Sequence, residues 1–557
     1  MRIASVSRGW PGAVLGLSVA VFVVYPLLQL LLNALAIGAG GALLQPYREA
    51  FASPVALSAL WGTVWLTAAS VLFGVPCAVL LAWITSSTDA PLVKALAALP
   101  TLSLALSPLV GAVGWLVLLA PRVGILNLAL RHVLGLHADI GPLNAYSIPV
   151  IVMLMSFYVV PYVYGPAYAA FTQIDSSLLE AARICGAEPR SAFLTIAVPI
   201  LRPAILAGAL IAAVMAASMF AIPLILASGT GLRVIPTQIY QYINQEGRPA
   251  PATAMASLLS AATILAMFLY LRALSHGRFV TVSGKGARRS RAKLGGWRWT
   301  ATSAVLLFLT LSFIVPLASL IYLSLVGFWS GDVFSQKVSF DQYRRLVDFP
   351  SAMRALFNST WLSALAATLA LLCGLIVSYR RLRRPHAGNR LLAFLASLPL
   401  GVPSIVLGLA FLFAFTGAPL PLYGTAAILV LAYTVHVLPI SARNSEAGLR
   451  QLAPELEEAG RVCGDTRGGV LRRILVPLLR QPLLAAWALT FIILFRDVSI
   501  SVLLYTPSTI PSAVALLSIF DQGWITGAAA YSVIVTAISV VIVGLVIISQ
   551  SPRAHET

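Results

Sequence analysis

The chain has 557 residues, of which 59% are hydrophobic and only 10% charged. Soluble domains carry about 25% charged residues, so a water-soluble globule is excluded, and recurring apolar runs of roughly 20 residues mark a polytopic helical membrane protein. A membrane β-barrel would alternate in short segments instead. The net charge is +19, but no nucleic-acid motif accompanies it; these Lys and Arg are assigned to cytoplasmic loops rather than to nucleic acid.

In chain order, the spans are predicted at about 11–36, 57–84, 95–120, 146–171, 203–226 and 253–275, then 299–325, 353–379, 391–416, 422–441, 482–506 and 526–550. That is about twelve. The first run follows Arg2 and Arg8 and outlasts the apolar core of a signal peptide, with no A-x-A-like site after it. It is read as a retained span with its N-terminus inside. The even-numbered loops are then cytoplasmic. They hold Lys94, then Arg183, Arg190 and Arg202, then "RRLRRPHAGNR" at 380–390 and the stretch from Arg443 to Arg480. The odd loops carry fewer Lys and Arg, which agrees with this orientation. Both termini are expected in the cytoplasm.

The segment 276–298, "HGRFVTVSGKGARRSRAKLGGWR", is rich in Gly, Ser and Arg and has no apolar period. It reads as a cytoplasmic linker between a first half, 1–275, and a second half, 299–557. The halves are repeats. Pro161, Glu180, Ala181, Arg183, Cys185, Gly186, Pro199 and Arg202 recur as Pro439, Glu458, Ala459, Arg461, Cys463, Gly464, Pro477 and Arg480, each pair differing by 278 (439 − 161, 480 − 202). Trp65, Leu66 and Cys77 recur as Trp361, Leu362 and Cys373, offset by 296 (361 − 65). An even number of spans per half puts both copies on one side, as in parallel repeats related by an axis along the membrane normal.

The repeated polar segment lies between the fourth and fifth spans of each half. In the first copy, near 174–203, Asp175, Ser176 or Ser177 caps a helix "LLEAARIC", Gly186 ends it as a C′ residue with positive φ, and a short amphipathic helix follows. In the second, near 452–482, Gly464 is the turn and Asp465 or Thr466 the next cap. Such a helix–turn–helix either merely connects spans or docks a cytoplasmic partner. Its duplication at symmetric places favours docking.

The pattern Glu-Ala-Ala, three residues, Gly, carried by Glu180, Ala181, Ala182 and Gly186, resembles the EAA loop of ABC importer permeases. Glu458, Ala459, Gly460 and Gly464 carry the second copy, with Gly460 where Ala is usual. The stretches "FAIPLILASGT" at 220–230 and "RDVSISVLLYTPS" at 496–508 are similar to the fused permeases of the ferric-iron type, akin to thiamine, polyamine and aminoethylphosphonate permeases. Asp497 stands where that group often has Glu. The resemblance implies an all-α fold of two tandem parallel six-helix repeats, the type I importer permease fold. It also implies two cytoplasmic ABC ATPase subunits seated on the short helices after Gly186 and Gly464. A periplasmic solute-binding protein would deliver the solute, in the bacterial inner membrane. Ferric iron or a ferric complex is the best substrate reading on resemblance, with thiamine, polyamine or aminoethylphosphonate as alternatives.

Chemistry is expected elsewhere. No G-x-x-x-x-G-K-[ST] phosphate loop is present, because "VSGKGARRS" lacks its first glycine and final Ser/Thr. ATP and Mg would be bound by the partner subunits, and this chain is expected to hold no cofactor and to be no enzyme. The six His and four Cys give no metal-ligand spacing. Residues proposed to line the path are Arg496 and Asp497, ionisable groups within an apolar run. To these are added Tyr158, Tyr162 and His436, which flank Pro161 and Pro439. A structural ion pair or an interfacial position for the first two, and packing or an interfacial tyrosine belt for the tyrosines, are the competing readings. A twelve-span secondary transporter is the other functional class. It lacks the expected G-x-x-x-D-R-x-G-R-type signature and leaves the paired loops unexplained.

Overall fold

The computed structural model describes residues 18–36, 42–135, 139–174, 198–276, 292–330, 336–384 and 386–550, with a few isolated residues between 175 and 197. Glu180, Ala181, most of the 276–298 linker and both chain ends lie outside the described residues.

The described residues are almost entirely helical. Eight helices are long and apolar enough to cross a bilayer, or up to eleven when each sharply bent pair counts as one span; Val21–Ala34 is a further, shorter apolar helix. Backbone polar groups have no water to bond in the hydrocarbon region, so spanning segments close their hydrogen bonds internally as helices. The long spans of the first half are Pro54–Ser87, Ile148–Gln173, Val198–Ala217 and Pro249–His276. Those of the second are Gly295–Ser324, Pro350–Arg383, Ala426–Gln451 and Ile525–Ile542.

Two expectations are corrected at the third span of each half. The run 95–120 is not straight: Leu99–Ala105 and Pro108–Leu119 meet at 94°. The run 391–416 breaks likewise, Ala387–Gly401 meeting Ser404–Phe415 at 113°. The cause is local. Ser107 precedes Pro108 and Val402 precedes Pro403, and both are extended (ψ 141° and 121°), because the proline ring disfavours helical backbone in the residue before it. The breaks keep the 296 offset (404 − 108).

The fifth spans are also shorter than expected. The helices end at Ala217 and Phe495, and short helices Ala221–Leu226 and Ser501–Leu504 follow. Pro223 has no N–H to give Met219, which interrupts the first. Beyond them each half carries a short helix between its last two predicted spans, Ile235–Asn244 and Ser512–Asp521. Both dock on the second span by the same bond. Thr63 Oγ1 accepts the Ile235 N–H at 2.7 Å, and Ser359 Oγ accepts the Ser512 N–H at 2.6 Å (359 − 63 = 296).

Each half sends its first helix to the other. Phe22 and Tyr25 pack on Phe415, with ring centroids 6.0 and 5.9 Å apart. In return, Ser319 Oγ donates to Gly114 O at 3.0 Å and Trp329 Nε1 to Val123 O at 3.0 Å. Gly114 is required here, since a Cβ would lie 2.7 Å from Pro316 O. The exchange joins the two repeats into one body around the broken third spans.

Candidate functional site

Two features stand out: the paired polar loops at one end and the helix breaks between the halves.

The second loop is the better described. Ala426–Gln451 ends at extended Leu452, and Glu455–Val462 begins after Pro454 with Glu455, Glu457 and Glu458 in its first turn, where carboxylates suit the helix dipole. Glu457 turns inward. Its Oε1 accepts from Arg383 Nε at 2.5 Å and its Oε2 from the Tyr379 hydroxyl at 3.1 Å. Arg383 also donates from Nη2 to Leu452 O at 3.3 Å. Glu458 and Ala459 are exposed, whereas Gly460 is buried. A Cβ on Gly460 would approach Ile474 Cδ1 to 2.7 Å and Val470 Cγ2 to 3.0 Å. The departure from Ala thus lets the next helix lie close.

The turn is a Schellman motif. Asp465 N donates to Gly460 O at 3.1 Å and Gly464 N to Arg461 O at 3.0 Å. Gly464 has φ +88° and Gly186 φ +83°, the left-handed region that side chains with Cβ avoid. Thr466, not Asp465, caps the following helix: its Oγ1 accepts the Gly469 N–H at 3.0 Å. That helix, Gly468–Leu478, turns 78° into Arg480–Phe495. In the first loop Ala182 is half-buried, and Ile184, Cys185 and Gly186 are exposed. Sequence reasoning missed Ile184 and Val462. They occupy equivalent positions (462 − 184 = 278), and each is 87% exposed. The available signal was an apolar residue between Arg and Cys in both copies.

At the break between the halves, Arg496 follows the end of Arg480–Phe495. Its Nη1 donates to the Leu104 carbonyl and, at 3.4 Å, to the Leu106 carbonyl of the other half. A cation thus closes carbonyls freed where Leu99–Ala105 ends. Tyr158 reaches the same break, its hydroxyl donating to Ser107 O at 3.1 Å. Gly111 makes room for it, since a Cβ there would lie 2.3 Å from the phenol oxygen. Tyr162, one turn further, is half-buried and lies with Tyr158 within electrostatic reach of the guanidinium.

Asp497 faces otherwise. Its Oδ1 accepts the Ile500 N–H at 2.8 Å, and its carbonyl accepts Ser501 Oγ at 2.6 Å. Ser501 Oγ in turn lies 2.6 Å from the Tyr433 hydroxyl. Asp497 therefore closes the turn that leads into Ser501–Leu504. Arg496 and Asp497 form no ion pair with each other. His436 is the positional equivalent of Tyr158 (436 − 158 = 278); its Nδ1 is buried without a hydrogen-bond partner. At one mouth of the central region, Tyr240 of the first half sits near Asp521 and Tyr505 of the second, and burial, then these neighbours, raise its phenol above the usual range. No group of three or more metal-ligating side chains occurs among the described residues.

Helices, breaks and loops of this kind, repeated with constant offsets, define a duplicated polytopic membrane protein. The pattern of the binding-protein-dependent transport system inner membrane component family matches residues 70–276 and 367–551, and the chain belongs to that family. It is a multi-pass membrane protein with the two-repeat type I permease fold. A ferric transport system permease protein of Actinobacillus pleuropneumoniae is 29% identical over 379 residues, covering 67% of this chain and 54% of that protein. A putative ferric transport system permease protein of Haemophilus influenzae is 30% identical over 345 residues, 61% of this chain and 54% of its own length. The chain thus spans about half the length of these ferric-type relatives. A putative 2-aminoethylphosphonate transport system permease protein of Salmonella paratyphi A is 27% identical over 230 residues, 41% of this chain and 86% of the other. Among solved structures, a bacterial alginate ABC transporter in complex with alginate pentasaccharide-bound periplasmic protein matches at 21% identity. It covers 51% of this chain and 100% of the matched chain, with a TM-score of 0.40.

Proposed function

We propose that this chain is the membrane-spanning subunit of an ATP-driven importer and supplies both halves of the translocation pathway. The observation that carries the reading is the pair Ile184 and Val462. Each is 87% exposed, at equivalent positions, two residues before a glycine with positive φ. A single exposed apolar residue is ordinary, but equal exposure at equivalent positions of both polar loops supports a pair of protein contacts. Covering each would contribute about 1.5–3 kcal/mol. Two identical contacts on one face suit a partner with two-fold symmetry, here a pair of ABC ATPase subunits that hold ATP and Mg. Closure of that pair would draw the two short helices together and rearrange the helix breaks between the halves, exposing the pathway to alternate sides. A periplasmic binding protein would present the solute at the opposite face, across the inner membrane, with both termini of this chain in the cytoplasm.

The relatives favour ferric iron or a ferric complex as the solute, with aminoethylphosphonate, thiamine or a polyamine as alternatives. Co-purification with the cognate ATPase tests the docking. The wild type retains the ATPase, whereas Ile184→Asp together with Val462→Asp releases it. Retention by the double variant contradicts the reading.

A further inference from the structure

Arg496 is the unusual group in this molecule. It bonds carbonyls of the other half and takes part in none of the ion pairs among the described residues. A guanidinium within an apolar bundle and without a carboxylate partner is costly and points to a functional role. Two backbone carbonyls engage only its Nη1. Its Nε and Nη2 donors have no hydrogen-bond partner and are not sealed from solvent. The Tyr162 hydroxyl, one turn beyond Tyr158 on the same helix, likewise has no hydrogen-bond partner. Asp497, the adjacent carboxylate, is committed to the Ile500 N–H. Tyr158 donates its hydroxyl hydrogen bond to Ser107 O at the same break.

We infer that Arg496, at the helix break beside Tyr158 and Tyr162, forms a subsite for an oxyanion, a phosphonate, phosphate or carboxylate group carried by the transported solute. The donors match. A guanidinium presents a planar fork that binds two oxygens of such a group, and a phenol O–H adds a third. The charge also decides between solutes. A bare ferric ion would be repelled at this point, so a ferric cargo must pass here as a complex bearing anionic ligands. The inference takes its physiological meaning from the permease reading above, but binding is testable without any partner.

The test uses the full chain in lipid nanodiscs and saturable binding of radiolabelled inorganic phosphate and citrate at constant ionic strength, with methylammonium as a cationic control. The wild type binds the anions and not methylammonium. Arg496→Gln weakens anion binding at least tenfold, and Arg496→Lys weakens it less. Tyr162→Phe, which leaves the carbonyl bonds of Arg496 in place, weakens it several-fold. The inference is overturned if the wild type binds neither anion saturably. It is also overturned if Arg496→Gln, shown to be monodisperse, binds as the wild type does. Anion binding that survives while the ATPase fails to dock would refute the permease reading alone; docking without anion binding would refute this subsite alone.

Discussion

Arg383, at the end of the Pro350–Arg383 span, and Glu457, in the first turn of Glu455–Val462, meet at 2.5 Å, and Tyr379 holds the second carboxylate oxygen. Side-chain exposures of 19% and 12% make this a largely desolvated pair. The equivalent positions in the first half are Ser87 and Leu179 (383 − 296, 457 − 278), which cannot form an ion pair. The second loop is therefore braced against its second span by a charge pair whose positions hold no ionisable residues in the first half.

Removing one partner leaves the other charge half-buried. Arg383→Ala should cost about 1–3 kcal/mol, and Glu457→Ala a similar amount. The double variant should cost clearly less than their sum. A double-mutant cycle on thermal stability of the purified chain measures this. An additive result would show that the pair contributes no coupling.

Gly186 and Gly464 meet nothing within 4 Å of an added Cβ, and their φ values are +83° and +88°. Only the backbone resists substitution. Gly464→Val should cost about 1–2 kcal/mol and lower transport per ATP hydrolysed, while Gly464→Asn should be nearly silent. Equal behaviour of Val and Asn variants in reconstituted vesicles would refute the turn assignment.

Gly460 is limited by side chains, not by backbone. For Gly460→Ala, a small shift of Ile474 Cδ1, 2.7 Å from the new Cβ, is offset by the gain of about 1 kcal/mol in helix propensity. The net change should be near zero. Gly460→Leu should destabilise by about 1–3 kcal/mol, and Ile474→Ala should restore part of it. Thermal unfolding of the three variants checks this.

Gly114 faces the backbone of the other half, with Pro316 O 2.7 Å from an added Cβ. Gly114→Ala should therefore lower the melting temperature more than Gly460→Ala does. An equal, small shift would mean that the crossed first helices do not pack as closely as described.

Much of this was legible in the residues. The offsets 278 and 296 located the repeats, and glycine at 186 and 464 announced positive φ because few other residues occupy that region. The bends were not legible, because hydropathy counts apolar residues and is blind to direction; Pro108 and Pro403 were the signal available. The crossing of the first helices was hidden for another reason. Phe22 and Phe415 look alike whether they face lipid or protein. The motif also pointed to Glu458, which is exposed. The braced residue is Glu457, selected by Arg383, 74 residues earlier, and no local pattern reports such a contact.

The central claim is that both loops are covered by a two-fold ATPase partner. Cys185 and Cys463 are exposed beside Ile184 and Val462, while Cys77 and Cys373 lie half-buried in the second spans. Maleimide labelling followed by mass spectrometry, with and without the cognate ATPase, reads this directly. The account predicts that Cys185 and Cys463 label readily in the isolated chain and that both are protected in the complex, with Cys77 and Cys373 unchanged. Undiminished labelling of both exposed thiols in the assembled complex would contradict it.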